Sequence, residues 1–193
     1  IKLTNVPFVK DIFTMLELLK FIGIKIKIKK RKQIVELINE KKIKNTLAPY
    51  KLVKTMRAGV LVLGPLLTKY KKAKVSLPGG CAIGTRPVDL HLFALKKLGA
   101  TIKIKNGYIL AEAKKGLKGS TIKFPSISVG ATENALLAAF NAEGKTILKN
   151  CAIEPEIKDL ISFLIKLGAN IKISGRSIVI NQNTNKKQNA NHE

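Results

Sequence analysis

The sequence has only two cysteines and no long apolar run. The first feature argues against a disulfide-rich protein and the second against a membrane-spanning one. Cys81 and Cys151 lie far apart and follow no pairing pattern, so we expect two free thiols in a reducing compartment rather than a disulfide scaffold. The apolar stretch 60–67 contains a glycine and a proline and is far shorter than the ~18 residues that a membrane-spanning helix needs. We therefore expect a cytoplasmic protein without a membrane segment.

Acidic residues are also scarce, with 12 Asp and Glu against 36 Lys and Arg and a net charge of +24 at pH 7. Such a charge attracts nucleic acid in a non-specific way. Only four of the basic residues are arginine, the side chain suited to bidentate recognition, and the lysines are spread over almost the whole chain. Lys, Ile and Asn share A+T-rich codons, so base composition accounts for the excess and we expect no specific nucleic-acid binding.

What the sequence does contain is an internal repeat anchored by Gly23, Gly99 and Gly168. Before each glycine, apolar residues recur three positions apart, which predicts one buried helix face. These residues are Leu16 and Leu19, Leu92 and Leu95, and Ile161 and Leu164. After each glycine, isoleucine alternates with lysine, which predicts a strand with one buried face. These isoleucines are Ile26 and Ile28, Ile102 and Ile104, and Ile171 and Ile173. Each glycine is expected to end its helix in a left-handed conformation.

A second set of elements lies between these units. Residues 48–67 and 132–142 read as apolar helices, with Thr132 as a candidate N-cap. Short strands are predicted to follow them at 74–77 and 145–148. Alternating helices and strands within repeated units predict an α/β domain with rough threefold symmetry.

The predicted domain covers residues 1–180. Residues 181–193 are almost all polar and lack apolar groups to bury, which predicts a disordered tail. The charged stretch 29–44 is interpreted as a solvated surface segment.

The middle copy of the repeat departs from the other two in a glycine-rich loop that holds Cys81. A glycine-rich loop suits closure over a ligand. Arg86 and the start of a helix at Pro87 would both favour the thiolate of Cys81, so this thiol is a candidate proton donor or acceptor. The alternative is a small buried apolar residue. Cys151 occupies the position of Val6 in the first copy, so we expect it in the core.

Residues 77–91, Leu-Pro-Gly-Gly-Cys-Ala-Ile-Gly-Thr-Arg-Pro-Val-Asp-Leu-His, resemble the catalytic-loop signature of the UDP-N-acetylglucosamine 1-carboxyvinyltransferase family of enolpyruvyl transferases. Residues 48–58, 128–132 and 154–157 resemble the same family. The resemblance implies two domains, each an inside-out α/β barrel of three βαβαββ-type units, with this chain covering most of one. It also implies transfer of enolpyruvyl from phosphoenolpyruvate to the 3-hydroxyl of UDP-N-acetylglucosamine, the first committed step of peptidoglycan synthesis.

The resemblance also implies roles for individual residues. Cys81 would be the general acid toward phosphoenolpyruvate, could carry a covalent adduct, and would be the target of fosfomycin. Arg86 and Arg57 would bind substrate, although Arg57 could instead be a helix-surface cation. The other substrate-binding residues implied are Pro87, Val88, Asp89 and Leu90, and Ser126, Ile127, Ser128, Val129 and Gly130. Ser126 stands where the family has a basic residue, Asp89 could instead be a first-turn helix acid, and His91 is interpreted as structural or supporting.

No cofactor and no metal are expected, since phosphoenolpyruvate is a substrate. The resemblance implies an opposite domain with an essential acid and further arginines, which is outside this sequence. A Lys-Asn motif that the family has upstream of the position of Ile1 is outside it as well. We therefore expect the chain alone to be inactive, and a separate chain carrying the second domain is a candidate partner. The alternative is a non-catalytic basic module that retains the fold and binds nucleic acid or a partner chain.

Overall fold

A computed structural model describes residues 1–39, 45–79, 88–182 and 190–192, in which helices and strands alternate along the chain. The helices in these ranges are α1 (Lys10–Ile22), α2 (Tyr50–Val53), α3 (Leu63–Tyr70), α4 (Asp89–Lys97), α5 (Val129–Ala139) and α6 (Pro155–Lys166). The strands are β1 (Lys2–Leu3), β2 (Lys25–Lys29), β3 (Ile34–Ile38), β4 (Leu47–Ala48), β5 (Lys72–Ser76), β6 (Thr101–Lys105), β7 (Tyr108–Glu112), β8 (Thr121–Lys123), β9 (Thr146–Lys149), β10 (Asn170–Ser174), β11 (Ser177–Asn181) and β12 (Asn191–His192). Short 3₁₀ turns span Lys30–Lys32 and Arg57–Val62.

The strands form three four-stranded sheets that share one connectivity. Their orders are β12-β1-β3-β2, β4-β5-β7-β6 and β8-β9-β11-β10. In each sheet the first two strands are parallel and the remaining pairs are antiparallel. The same order three times is what the repeat in the sequence predicts.

Each anchoring glycine ends a helix in the left-handed region, as predicted. The φ angles of Gly23, Gly99 and Gly168 are 118°, 96° and 97°. The amide of each glycine donates to a carbonyl three residues earlier, at 3.0, 2.9 and 2.8 Å, and the following amide donates five residues back. This Schellman-type arrangement satisfies carbonyls that the helix end leaves open and turns the chain into the next strand.

The first and third copies also match after their first strand. Asn5 and Asn150 both have positive φ, 54° and 58°. The amide of Val6 donates to the Gln33 carbonyl, and the amide of Cys151 donates to the Arg176 carbonyl, each at a distance of 3.0 Å. In each case the carbonyl belongs to the hairpin turn of the same sheet. Cys151 is fully buried, as its match to Val6 predicts.

The second set of helices is positioned differently from the prediction. The single helix expected over 48–67 is divided into α2, the 3₁₀ turn and α3, and the one expected over 132–142 begins at Val129. Thr132 is not the N-cap: Ser128 is, because its side chain accepts from the amide of Ala131 at 3.3 Å. The Thr132 hydroxyl instead donates to the Ser128 carbonyl at 2.8 Å.

The core lies around α5, which packs against α3, α4 and α6. Seven of its eleven residues are buried. Most of the predicted helix-face residues are buried, but Leu19 is half-buried and its neighbour Leu18 is fully covered. Ile104 and Ile173 were predicted to be buried and are 57% and 46% exposed. They lie on β6 and β10, which are sheet edges, so less of the chain covers them.

The chain after β11 differs in part from the predicted disordered tail. Asn191–His192 forms β12, parallel to β1, and His192 Nε2 lies 2.8 Å from Asp159 Oδ1. The prediction of disorder considered only apolar side chains. Backbone hydrogen bonds to β1 hold these two residues instead. Residues 183–189 and 193 lie outside the described residues. Within the segment predicted to be solvated, Ile34–Ile38 forms β3 and Val35 is buried. No helix in the described part of the chain is long and apolar enough to cross a bilayer.

Candidate functional site

Several residues predicted from the sequence meet in one cleft of about 490 Å³. The cleft lies between the 3₁₀ turn, α4 and the N-terminus of α5. It is lined by Arg57, Ala58, Val60, Leu61, His91, Ile127, Ser128, Val129, Gly130 and Glu133. Residues more than 70 positions apart in the sequence are therefore brought to a single concave surface.

The N-terminus of α5 supplies the polar wall of the cleft. Ser128 caps the helix, and the first amides of a helix have no partner within the helix itself. These amides and the helix dipole favour an anion at this position. Arg57 is exposed on the facing turn and adds a positive charge to the same cleft. The arrangement suits a phosphate or carboxylate group.

A buried polar network joins the three segments of the cleft. Asn134 of α5 accepts from the amide of Gly64 at 2.9 Å through Oδ1. Its Nδ2 donates to the Val60 carbonyl at 3.1 Å and lies 3.2 Å from His91 Nδ1. Burial, and secondarily the charge of Arg57, lower the pKa of His91 to about 4, so this imidazole is neutral at pH 7. The network fixes the turn that carries Arg57 against α4 and α5.

Glu133 adds a carboxyl group to the cleft wall. Burial, and secondarily the nearby Glu156, raise the pKa of Glu133 above its ordinary value. Both effects disfavour the ionised form. The sequence analysis did not single out Glu133 or Asn134. Both lie on α5, about one turn beyond the predicted site segment 126–130.

Gly79, the last described residue before the glycine-rich segment, lies against the chain that leads to the cleft residue Arg57. The described chain reaches Gly79 and resumes at Val88, just before α4. A methyl group on Gly79 would lie 2.7 Å from the carbonyl oxygen of Lys54, so only glycine allows the close approach to the chain just before Arg57. Cys81, Arg86 and Pro87, for which catalytic and substrate-binding roles were predicted, lie outside the described residues.

The other predicted site residues are distributed around the cleft. Arg57, Ile127, Ser128, Val129 and Gly130 line it. Val88 is buried, Asp89 is exposed and Leu90 is half-buried, and the three lie at the start of α4 without lining the cleft. Ser126 is exposed on the segment that leads to Ser128. Their substrate-binding roles remain predictions.

A second groove, of about 570 Å³, carries none of the predicted site residues. It is lined by residues of β6, β7 and the following turn, including Lys103, Lys114 and Lys115. Among the described residues, no group of three or more His, Cys, Asp or Glu side chains could hold a metal ion.

The chain is similar in sequence to proteins of a known class. The sequence profile of the EPSP synthase (3-phosphoshikimate 1-carboxyvinyltransferase) family matches residues 1–193, and the chain belongs to this family. The UDP-N-acetylglucosamine 1-carboxyvinyltransferase of Pelagibacter ubique (strain HTCC1062) is 62% identical over 179 residues, which cover 93% of this chain and 42% of that protein. The protein of that name from Endomicrobium trichonymphae is 50% identical over 193 residues, covering 100% of this chain and 46% of the relative. These matches confirm the resemblance read from residues 77–91, and the chain spans less than half the length of these relatives.

Solved structures show the same fold. The enolpyruvyl transferase NikO from Streptomyces tendae superposes with a TM-score of 0.76 at 21% identity, over 93% of this chain and 42% of that one. EPSP synthase from Acinetobacter baumannii superposes with a TM-score of 0.72 at 20% identity, over 98% of this chain and 43% of the other. The predicted fold class, an enolpyruvyl-transferase-type α/β domain, is confirmed.

Proposed function

We propose that this chain provides one side of the active site of an enolpyruvyl transferase that acts on UDP-N-acetylglucosamine and phosphoenolpyruvate in peptidoglycan synthesis. The observation that carries the proposal is the meeting of Arg57 with the α5 N-terminus in one cleft. Residues 77–91 of the same chain resemble the family's catalytic signature in sequence. The identity of 62% to a relative of that name supports this substrate pair over the shikimate substrate of the family's other branch.

The residues divide the chemistry between them. The amides of Val129 and Gly130, with Arg57, would hold the diphosphate of the sugar nucleotide. Cys81 would protonate the methylene carbon of phosphoenolpyruvate as the sugar hydroxyl attacks the adjacent carbon, and Arg86 would hold the phosphate that later leaves. Val88, Asp89 and Leu90, with Pro87, would contact the uridine. No base for the sugar hydroxyl is assigned to this chain, so a second domain completes the site.

The substrates also favour a cytoplasmic location, because both are metabolites of the cytoplasm. The alternative, a basic nucleic-acid module, is less well supported by the charge distribution. The lysines of the edge strands β2, β6 and β10 lie on three different sheets.

Binding of UDP-N-acetylglucosamine tests the proposal. Isothermal titration calorimetry of the chain should show saturable binding that weakens about 10- to 100-fold in Arg57→Ala, since a hydrogen bond to a charged group contributes about 1.5–3 kcal/mol. Arg31→Ala removes the same charge from the 3₁₀ turn Lys30–Lys32, away from the cleft, and should change the affinity less than about twofold.

Equal losses in the two variants would show that the affinity comes from net charge alone, which contradicts the proposal. Absence of saturable binding by the wild-type chain would contradict it as well. Tighter binding of RNA than of the sugar nucleotide, falling steeply with salt, would favour the alternative function.

A further inference from the structure

His91 has a buried hydrogen-bonding atom that the fold leaves unpaired. The residue is 2% exposed, and its Nε2 atom has no hydrogen-bond partner. Such atoms are uncommon in native proteins, because burial without a partner removes the hydrogen bond that water would provide. Nδ1 of the same ring lies 3.2 Å from Asn134 Nδ2.

The contacts of Asn134 decide which ring nitrogen carries the proton. Oδ1 of Asn134 accepts from the Gly64 amide at 2.9 Å, which sets the orientation of the side-chain amide. One hydrogen of Nδ2 is donated to the Val60 carbonyl, and the other is directed to His91 Nδ1. Since Nδ1 accepts, the proton of the neutral imidazole is on Nε2. The unpaired atom is therefore a donor.

His91, the residue that carries this donor, lines the cleft. The ring edge that contains Nε2 lies against Gly130, where a methyl group would be 3.1 Å from Cε1 and 3.3 Å from Nε2. Gly130 is in the first turn of α5, whose amides favour an anion. Any side chain at position 130 would separate the imidazole from the helix terminus.

We propose that the Nε2–H group of His91 donates a hydrogen bond to the anion held at the N-terminus of α5, which is the nucleotide diphosphate in the function proposed above, and that Asn134 is the positioning residue that fixes this tautomer. The inference rests on that proposed function for the identity of the anion. It assigns His91 a direct binding role, whereas the sequence analysis interpreted this residue as structural or supporting.

Three substitutions at position 91 separate the donor from the shape of the ring. Glutamine can place an amide N–H near the position of Nε2. Asparagine can keep an acceptor for Asn134 but does not reach the cleft, and phenylalanine keeps only the ring shape. Calorimetry with UDP should show about tenfold weaker binding for His91→Asn and His91→Phe, and a change below about threefold for His91→Gln. Uridine, which lacks the diphosphate, should bind equally to all folded variants.

A matched control is available elsewhere in the fold. Thr146 Oγ1, on β9, is also buried and unpaired, and Thr146 does not line the cleft. Thr146→Val removes this atom and should leave UDP affinity unchanged. NMR spectroscopy provides a measurement that needs no variant. In ¹⁵N-labelled protein, the resonance of the proton on Nε2 of His91 should shift when UDP is added, and not when uridine is added.

The outcomes separate the two proposals. If the wild-type chain does not bind UDP, the proposed function fails and this inference fails with it. If the wild-type chain binds UDP but His91→Asn binds equally tightly, or the Nε2 proton does not respond, only the role of His91 is overturned. Equal losses for UDP and uridine would show a structural effect of the substitution and would also overturn it.

Discussion

The two cysteines show how surroundings separate residues of the same type. Burial raises the pKa of the Cys151 thiol to about 11, so at pH 8 almost all of it is protonated and shielded from reagents. Cys151 matches an apolar position, Val6, in another copy of the repeat, whereas Cys81 belongs to a glycine-rich segment of the sequence and precedes Arg86 by five residues. The repeat supplied the comparison that predicted burial of Cys151, and the structure confirms it. The reactivity of Cys81 stays a prediction.

Reaction with fosfomycin tests this difference. We expect fosfomycin, an epoxide that resembles phosphoenolpyruvate, to alkylate Cys81 and not Cys151 at pH 8 in the assembled enzyme. Peptide mapping by mass spectrometry after treatment measures the modification at each residue, and Cys81→Ser should abolish it. Modification of Cys151 alone, or equal modification of both thiols, would contradict the assignment.

Sequence patterns predicted some elements of this fold well and others poorly, and the reason is the range of the interaction involved. The ends of α1, α4 and α6 were predictable because a local signal, a glycine after an apolar helix face, defines them. The start of α5 was misplaced at Thr132 because Ser128 and Thr132 are both good capping residues, and only the three-dimensional contacts decide between them. The partnership of His91 with Asn134, 43 residues away, has no local signal.

Helices α3 and α5 pack closely against each other, and Gly64 of α3 allows this close approach. A methyl group on Gly64 would lie 2.6 Å from Asn134 Oδ1 and 2.8 Å from the Asn134 carbonyl oxygen. Gly64→Ala should therefore force the helices apart and lower the free energy of unfolding by about 2–3 kcal/mol. Urea denaturation followed by circular dichroism measures this change.

Gly59→Ala is the matched control. Its methyl group would lie 3.3 Å from the side-chain methyls of Val53, which can move by a few tenths of an ångström. We expect a loss of about 1 kcal/mol or less in the free energy of unfolding. A Gly64→Ala protein as stable as Gly59→Ala would show that α3 and α5 are not packed as closely as described.

At the scale of the whole molecule, the described chain has three sheets of one connectivity and a cleft whose wall contains Arg57 and the N-terminus of α5. The repeat explains the architecture, and its interruption at residues 78–84 predicts where the chemistry lies. Sequence similarity supports the proposed substrate pair, because composition and spacing alone do not distinguish one phosphorylated ligand from another. The chain spans 42% of its relative from Pelagibacter ubique, and the proposed site contains no assigned base.

The central claim is that this chain contributes the proton donor and the nucleotide-binding wall of a transferase that a second domain completes. Phosphate release from phosphoenolpyruvate and UDP-N-acetylglucosamine tests it most directly. The chain should be measured alone and with the remaining part of the Pelagibacter relative added as a separate chain, using wild-type protein and Cys81→Ala. We predict no release above background by the chain alone, since loss of one electrostatic partner already costs ~10²–10³ in rate, and multiple turnovers by the wild-type mixture only. Multiple turnovers by the chain alone, or by the Cys81→Ala mixture at the wild-type rate, would contradict the account.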